Sequence, residues 1–375
     1  MDVTFPFGLP WPTATYLSLY VATLTLHMLL MHYVLAGAAW LTGSSLVNLR
    51  RSKPAQQTTI AKALQDWLPF ALGGAITAGV APLLFVQILY QREFYTANLL
   101  LSHRWMSILP ILILAFYLLY LQKSTWLNHR AAVLKPWVWL LITSCFLFVG
   151  YSWTENHLLS LQKQDSWTTF FAERRYFFAR WEIPLRLAIW LASAFTTLAA
   201  VLAWQLCNVP TPEVAPISKS SDQRDFTSEW RGLRTASFLA IGLSMGLSLG
   251  YFFTMTLETR TIVAGPLAWP YILLTVAAWG TQIWIWWRMT APKHGTSRML
   301  LALSAAVVVT TLGMNVIREA IRLAEVDLAT LFPRHADAAN VGGAGVFLFF
   351  LILNAGVMVW VVRQVVLHLN ANGDH

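Results

Sequence analysis

Apolar runs about as long as a bilayer crossing alternate with short polar clusters along almost the whole chain. Nine segments read as spanning helices, at residues 14–41, 67–90, 105–122, 134–153, 184–207, 234–256, 266–288, 299–318 and 344–367. Such runs match the ~20 apolar residues needed to cross a ~30 Å hydrocarbon core. The pattern predicts an all-α polytopic membrane protein of about nine transmembrane helices. The opening MDVTFPFGLPWP holds no Lys or Arg, and the apolar stretch after it is too long for a signal-peptide core, so no cleavable leader is expected.

Composition excludes the other broad classes. Of the 375 residues, 57% are apolar and only 11% charged, against roughly a quarter charged in soluble domains. Cys145 and Cys207 both lie in apolar runs, so neither a disulfide framework nor a zinc site is expected. No CxxCH occurs, so no c-type haem is attached to this chain.

The net charge of +9 is distributed by side. Connections near Arg50, Lys123, Lys219 and Lys293, with the C-terminal tail, hold 15 of the 26 Lys+Arg and 6 of the 17 Asp+Glu. The opposite connections hold 11 of each and cancel. The basic side is predicted to be cytoplasmic, which puts the N-terminus in the periplasm and the C-terminus in the cytoplasm of a bacterial inner membrane. The charge reports topology, so no nucleic-acid partner is expected; the lipid bilayer is.

Two connections exceed short turns. Residues 208–232, containing VPTPEVAPISKSSDQRD, read as a flexible cytoplasmic link between a five-helix half at 1–207 and a four-helix half at 233–375. An outer loop at 154–182 contains WTTFFAERRYFFARW, a composition that suits an amphipathic helix in the headgroup region or a docking surface for a periplasmic partner. Most of the 19 tryptophans fall near span ends, as an aromatic belt predicts. Gly242, Gly246 and Gly250, and the run Gly73, Gly74, Ala78 and Gly79, mark faces where another helix or a flat macrocycle can approach closely. Pro82 should kink the second span, with neighbours or Thr77 satisfying the freed carbonyl. Internal repeats of the kind found in inverted-repeat transporters are not evident.

Ionisable residues at membrane depth are the informative ones, because placing them there is costly. His27 lies 13 residues into the first span, roughly 20 Å at ~1.5 Å per residue, near the midplane. Its imidazole is either hydrogen-bonded to another helix or bound to a metal, for which haem iron is the candidate. His32 points about 140° away and cannot share that iron. In the eighth span, Asn315, Arg318 and Arg322 fall on one stripe with Glu319 and Glu325 nearby. An arginine pair there suits haem propionates and a carboxylate suits a quinol proton; an ion-paired helix end with snorkelling side chains is the other reading. Glu155 and His157, just after the fourth span, and Glu182 and Arg186, opening the fifth, share that outer side.

LHMLLMHYVLAG in the first helix, and FALGGAITAGVAPLLF in the second, resemble the opening helices of cytochrome bd quinol oxidase subunit I. The resemblance covers roughly residues 15–100 at motif level and the remainder by layout. It implies haem b with His27 as an axial ligand, a quinol substrate and an outer N-terminus. The chain also departs from that family. Val80-Ala81-Pro82-Leu83-Leu84 holds no counterpart of its second-helix glutamate, and the Gly-Arg-Gln-Pro-Trp signature and long quinol loop are missing. Met314 with Arg318 stands in loosely for its Met/Arg pair. Oxygen reduction is therefore not expected. The sequence points to a membrane subunit of a respiratory electron-transfer complex, oxidising quinol and passing electrons to a periplasmic cytochrome c or a second subunit. His27 is the expected metal ligand, Arg318, Arg322 and Met314 the further cofactor contacts, and Glu155, His157 and Glu319 the proton-release groups. A cofactor-free membrane anchor for a redox partner and a small-solute transporter are the alternatives.

Overall fold

The computed structural model describes residues 8–49, 58–124, 126–127, 132–207, 219–266 and 268–371. Among them the regular structure is helical and no strand occurs. The helices are α1 (Trp11–Leu49), α2 (Thr59–Leu89), α3 (Gln91–Leu101), α4 (Ile108–Lys123), α5 (Lys135–Ser160), α6 (Gln164–Ala172) and α7 (Glu182–Cys207). They continue with α8 (Lys219–Thr254), α9 (Leu257–Val263), α10 (Trp269–Arg288), α11 (Ser297–Glu325), α12 (Leu328–Val341) and α13 (Ala344–Ala371). Each of the nine predicted segments overlaps a helix. Seven helices are long and apolar enough to cross a membrane, or eight if the bent pair Thr330–Val341 and Gly345–Val361 is one span. The chain is thus an α-helical, multi-pass membrane protein. The predicted seventh span forms α10, whose tryptophans and arginine make it less apolar than those seven.

Leu17–Val326 form one compact unit, and Met1–Tyr16 with Asp327–His375 form a second. In the second unit the Thr13 hydroxyl and His335 Nδ1 are 2.9 Å apart. There α12 and α13 are separated at Gly342 and Gly343, whose φ values of 86° and 102° lie where a side chain is strained.

The larger unit is an up-and-down bundle. Its apolar core packs α1 against α2 and α5 against α7, through residues such as Leu64, Leu68, Trp139, Phe146 and Leu198. At Gly37 a Cβ would meet Leu68 Cδ2 at 3.1 Å, so the small residue lets α1 and α2 close up. Polar side chains are paired across helices, as apolar surroundings require. Thr42 meets Thr143 at 2.9 Å, and Gln282 Nε2 donates to Thr310 at 2.9 Å.

The two ends of the bundle carry different chemistry. At one end the Glu229 carboxylate accepts from the Thr59 and Ile60 amides at 3.0 and 3.1 Å, capping α2 together with Thr58. There Trp230 donates to the Met289 carbonyl at 3.0 Å and Arg234 to that of Trp286 at 2.8 Å. Trp286 is buried in this contact while Trp284 and Trp287 are exposed, so the tryptophan cluster belongs only partly to a belt. The other end gathers the start of α1, the ends of α2, α5, α8 and α11, and the start of α7.

Four local expectations change. Helix α5 runs on to Ser160, so Glu155 and His157 lie on the helix and not in a loop after it. Its extra turns are held by neighbours: Asn156 Nδ2 donates to Asn98 at 2.6 Å and the Trp167 indole to the Leu159 carbonyl at 2.8 Å. Thr77 donates to the Gly73 carbonyl at 3.0 Å, one turn before the carbonyl that Pro82 frees. Gly242, Gly246 and Gly250 have no neighbour within 4 Å of an added Cβ, so among the described residues their stripe packs against no helix. Of the predicted link, residues 208–218 lie outside the described residues, and 219–232 are helical as the start of α8.

Candidate functional site

Glu319 organises the second end of the bundle. The carboxylate is 2% exposed and both oxygens are engaged. Oε1 accepts from Arg318 at 2.9 Å through Nη2 and 3.1 Å through Nε. Oε2 accepts from the Tyr90 hydroxyl at 3.1 Å and lies 3.5 Å from Arg322 Nη1. Spacing on α11 makes this possible: Glu319 and Arg322 are one turn apart, so their side chains meet. Arg318 also donates to the Tyr20 hydroxyl at 2.7 Å, joining α1 and α2 to one carboxylate. The Arg322 guanidinium stacks 4.4 Å over the Tyr90 ring. Below it, Asn315 donates to Thr25 at 3.1 Å.

His157 reaches this cluster from α5. Its Nδ1 contacts Arg322 Nη2, and a guanidinium can only donate, so Nδ1 accepts and the proton sits on Nε2. The neutral ring then presents a buried Nε2–H with no acceptor. From α7, Arg186 donates through Nε to the Tyr251 hydroxyl at 2.8 Å and stacks on that ring. Arg186 is close enough to Arg318 and Arg322 to be repelled by both.

Glu155 is bound elsewhere. It is ion-paired with Arg104 and accepts the Phe178 amide at 2.7 Å. Arg104 also donates to the Tyr176 carbonyl at 2.9 Å and lies over the Phe177 ring. The pair therefore fastens the loop after α6 to the bundle. That loop leaves Tyr176, Phe177 and Trp181 exposed, with Phe171 at the end of α6, beside Arg174, Arg175 and Arg180.

His27 and His32 diverge as their rotation predicts. His32 Nδ1 meets the Thr197 hydroxyl of α7 at 3.2 Å. His27 turns to α2, where its Nδ1 lies 2.9 Å from the Ala75 carbonyl; that contact fixes the proton on Nδ1. The ring lies against Gly79, at which a Cβ would sit 2.8 Å from Cε1. Met314 packs away from both, accepting from Ser193 at 3.6 Å.

These residues fit a single axial ligand. An imidazole whose Nδ1–H is held by a carbonyl keeps its Nε2 lone pair for a metal, the usual outer-shell arrangement. The ring is half-buried, and Leu26, Ile76 and Val80, the chain neighbours of His27, Ala75 and Gly79, are exposed apolar residues. Tyr20 lies seven residues before His27, which places it within about 20° of the same face and about 10 Å along α1. No group of three or more His, Cys, Asp or Glu among the described residues is placed to hold a metal ion on its own.

Tyr20, Tyr90, Tyr251 and Arg104 belong to this end and were not singled out by sequence. The tyrosines sit at span ends, where an interfacial belt predicts them anyway. Arg318, Arg322, Glu319 and His157 are brought together as one cluster; Glu155, His27 and Met314 are each engaged in separate contacts. Comparison with family models, with curated proteins and with solved structures finds no match.

Proposed function

We propose that this chain is an integral membrane subunit of a respiratory electron-transfer complex. It would cross a bacterial cytoplasmic membrane nine times, with the N-terminus periplasmic and the C-terminus cytoplasmic. His27 is the assigned axial ligand of a haem b, with Arg318 and Arg322 facing its propionates or a quinol. The observation that carries this reading is the 2.9 Å bond from His27 to the Ala75 carbonyl beside Gly79. It holds a neutral ring deep in an apolar span in the tautomer a metal requires. Bound haem supplies a one-electron carrier. The protein's own residues hold its ligand and offer a quinol, at the periplasmic end, a carboxylate (Glu319) for its protons and an Nε2–H (His157) that can donate to a quinol oxygen. The acceptor is a periplasmic cytochrome c or a second membrane subunit.

A reduced-minus-oxidised spectrum of the purified full chain tests the reading. A b-type α-band that disappears in His27→Ala, with the protein still folded, is the expected result. A colourless preparation overturns it and leaves a cofactor-free anchor, which the exposed aromatic residues Phe171, Tyr176 and Trp181 favour.

A further inference from the structure

The cluster around Glu319 carries more positive charge than it can neutralise internally. Arg318 and Arg322 converge there with Arg186 within electrostatic reach of both, and Glu319 is the one carboxylate bonded to any of them among the described residues. The other nearby carboxylates are turned to different partners. Glu155 pairs with Arg104, Glu182 with Arg180 at 2.9 Å, and Glu325 accepts from the Thr259 hydroxyl at 3.1 Å. Three guanidinium groups against one carboxylate leave two unbalanced positive charges. His157 adds none, because its Nδ1 accepts from Arg322.

Unsatisfied donors belong to the same cluster. Arg322 is 4% exposed; its Nε lacks a hydrogen-bond acceptor, as does His157 Nε2, and its Nη1 has only the 3.5 Å ion pair to Glu319. A buried charge without a full set of partners is strongly unfavourable. Guanidinium forks match carboxylate and phosphate oxygens in geometry as well as charge. The Arg318 side chain is 24% exposed, which leaves an approach from outside.

We infer that Arg186, Arg318, Arg322 and His157 form a binding site for an anionic group bearing carboxylate or phosphate oxygens, which completes the Glu319 cluster. The group accepts from Arg322 and balances the charge that Glu319 leaves over. Three sources share this chemistry: a phospholipid headgroup, a free oxyanion, and the acidic side groups of a bound cofactor. The inference rests on charge and on unpaired donors, so it stands or falls apart from ligation by His27.

The test uses the full chain in a neutral detergent. Native mass spectrometry reads what remains bound, and thermal unfolding is followed as delipidated protein is titrated with inorganic phosphate or with phosphatidylglycerol. The site predicts a retained anionic molecule, or a rise of several degrees with one of the two probes, abolished in Arg322→Gln. Stabilisation by phosphatidylglycerol alone identifies a headgroup, and stabilisation by phosphate identifies a free oxyanion. Retention of haem that needs both His27 and Arg322 identifies the cofactor. Glu319→Gln removes the competing carboxylate and should strengthen the response. Should Arg322→Gln fail to fold, Arg186→Gln at the cluster's edge takes its place. The proposal is overturned if nothing anionic is retained and neither probe shifts the transition.

Discussion

Arg318 donates through Nη2 to the Tyr20 hydroxyl at 2.7 Å, although 298 positions separate the two residues. The bond ties the beginning of α1 to the end of α11, and Tyr90 adds α2 through the same carboxylate that holds Arg318. Removing the hydroxyl leaves Arg318 with Glu319 alone. A hydrogen bond to a charged group is worth ~1.5–3 kcal/mol, and Tyr20→Phe should lower the unfolding free energy by about that amount. Tyr20→Phe and Tyr90→Phe together should cost less than the two losses added, because both hydroxyls act through the Arg318–Glu319 pair. Denaturant unfolding of the two single variants and the double variant measures this coupling. Strict additivity would show that the tyrosines are independent.

Gly79 supports His27 by lacking a side chain. An alanine Cβ there falls 2.8 Å from Cε1 and 3.0 Å from Nδ1 of the imidazole, so the ring must move and its bond to the Ala75 carbonyl must stretch. Overpacking of this kind costs about 1–3 kcal/mol. Gly79→Ala should therefore destabilise the parent chain clearly and a His27→Ala chain little, since the clash is with the ring alone. The comparison needs only melting curves of four proteins. An equal loss in both backgrounds would place the strain in the helix backbone.

The Arg104–Glu155 pair fastens the loop that follows α6. Glu155 also accepts the Phe178 amide, and Arg104 holds the Tyr176 carbonyl, so one carboxylate organises the segment between Leu161 and Trp181. Leaving one partner of a buried ion pair alone typically costs ~3–5 kcal/mol, and here much of the loss should appear as local release. Glu155→Gln should make this segment the first site of trypsin cleavage, at Arg174, Arg175 or Arg180, while cleavage elsewhere changes little. A digestion pattern identical to the parent's would show that the loop is held by its aromatic contacts instead.

Much of the architecture follows from patterns visible along the chain. Apolar runs as long as a bilayer crossing leave little choice but helices. The divergence of His27 and His32 is a matter of helical rotation, and it is found as 3.6 residues per turn dictates. What the runs do not encode is which chain positions meet at the bundle end. Tyr20, Tyr90 and Tyr251 become partners of arginines only when five helices converge, and at a span end each reads as an ordinary belt residue. Glu155 and His157 sit two apart, so α5 turns them to different neighbours: one holds a loop, the other a guanidinium. The end of α5 itself was hidden because Asn156 and its polar neighbours look like a loop until Asn98 and Trp167 are beside them. The glycines of α8 show the converse case, where small residues at helical spacing find no partner among the described residues.

Sidedness offers the last prediction. Tyr176 lies in the loop held by Arg104 and is 81% exposed. Arg231 is exposed near the opposite end of the bundle, next to Trp230, which is bonded to Met289. The basic connections, including the one that carries Arg231, should face the cytoplasm. Cysteines introduced as Tyr176→Cys and Arg231→Cys, in a background with Cys145 and Cys207 replaced by Ala, should label differently in intact cells. An impermeant maleimide should modify position 176 directly and position 231 only after the inner membrane is opened. Labelling of both from outside would break the up-and-down arrangement of the bundle, whereas a clean reversal would keep it and invert the assignment made from charge.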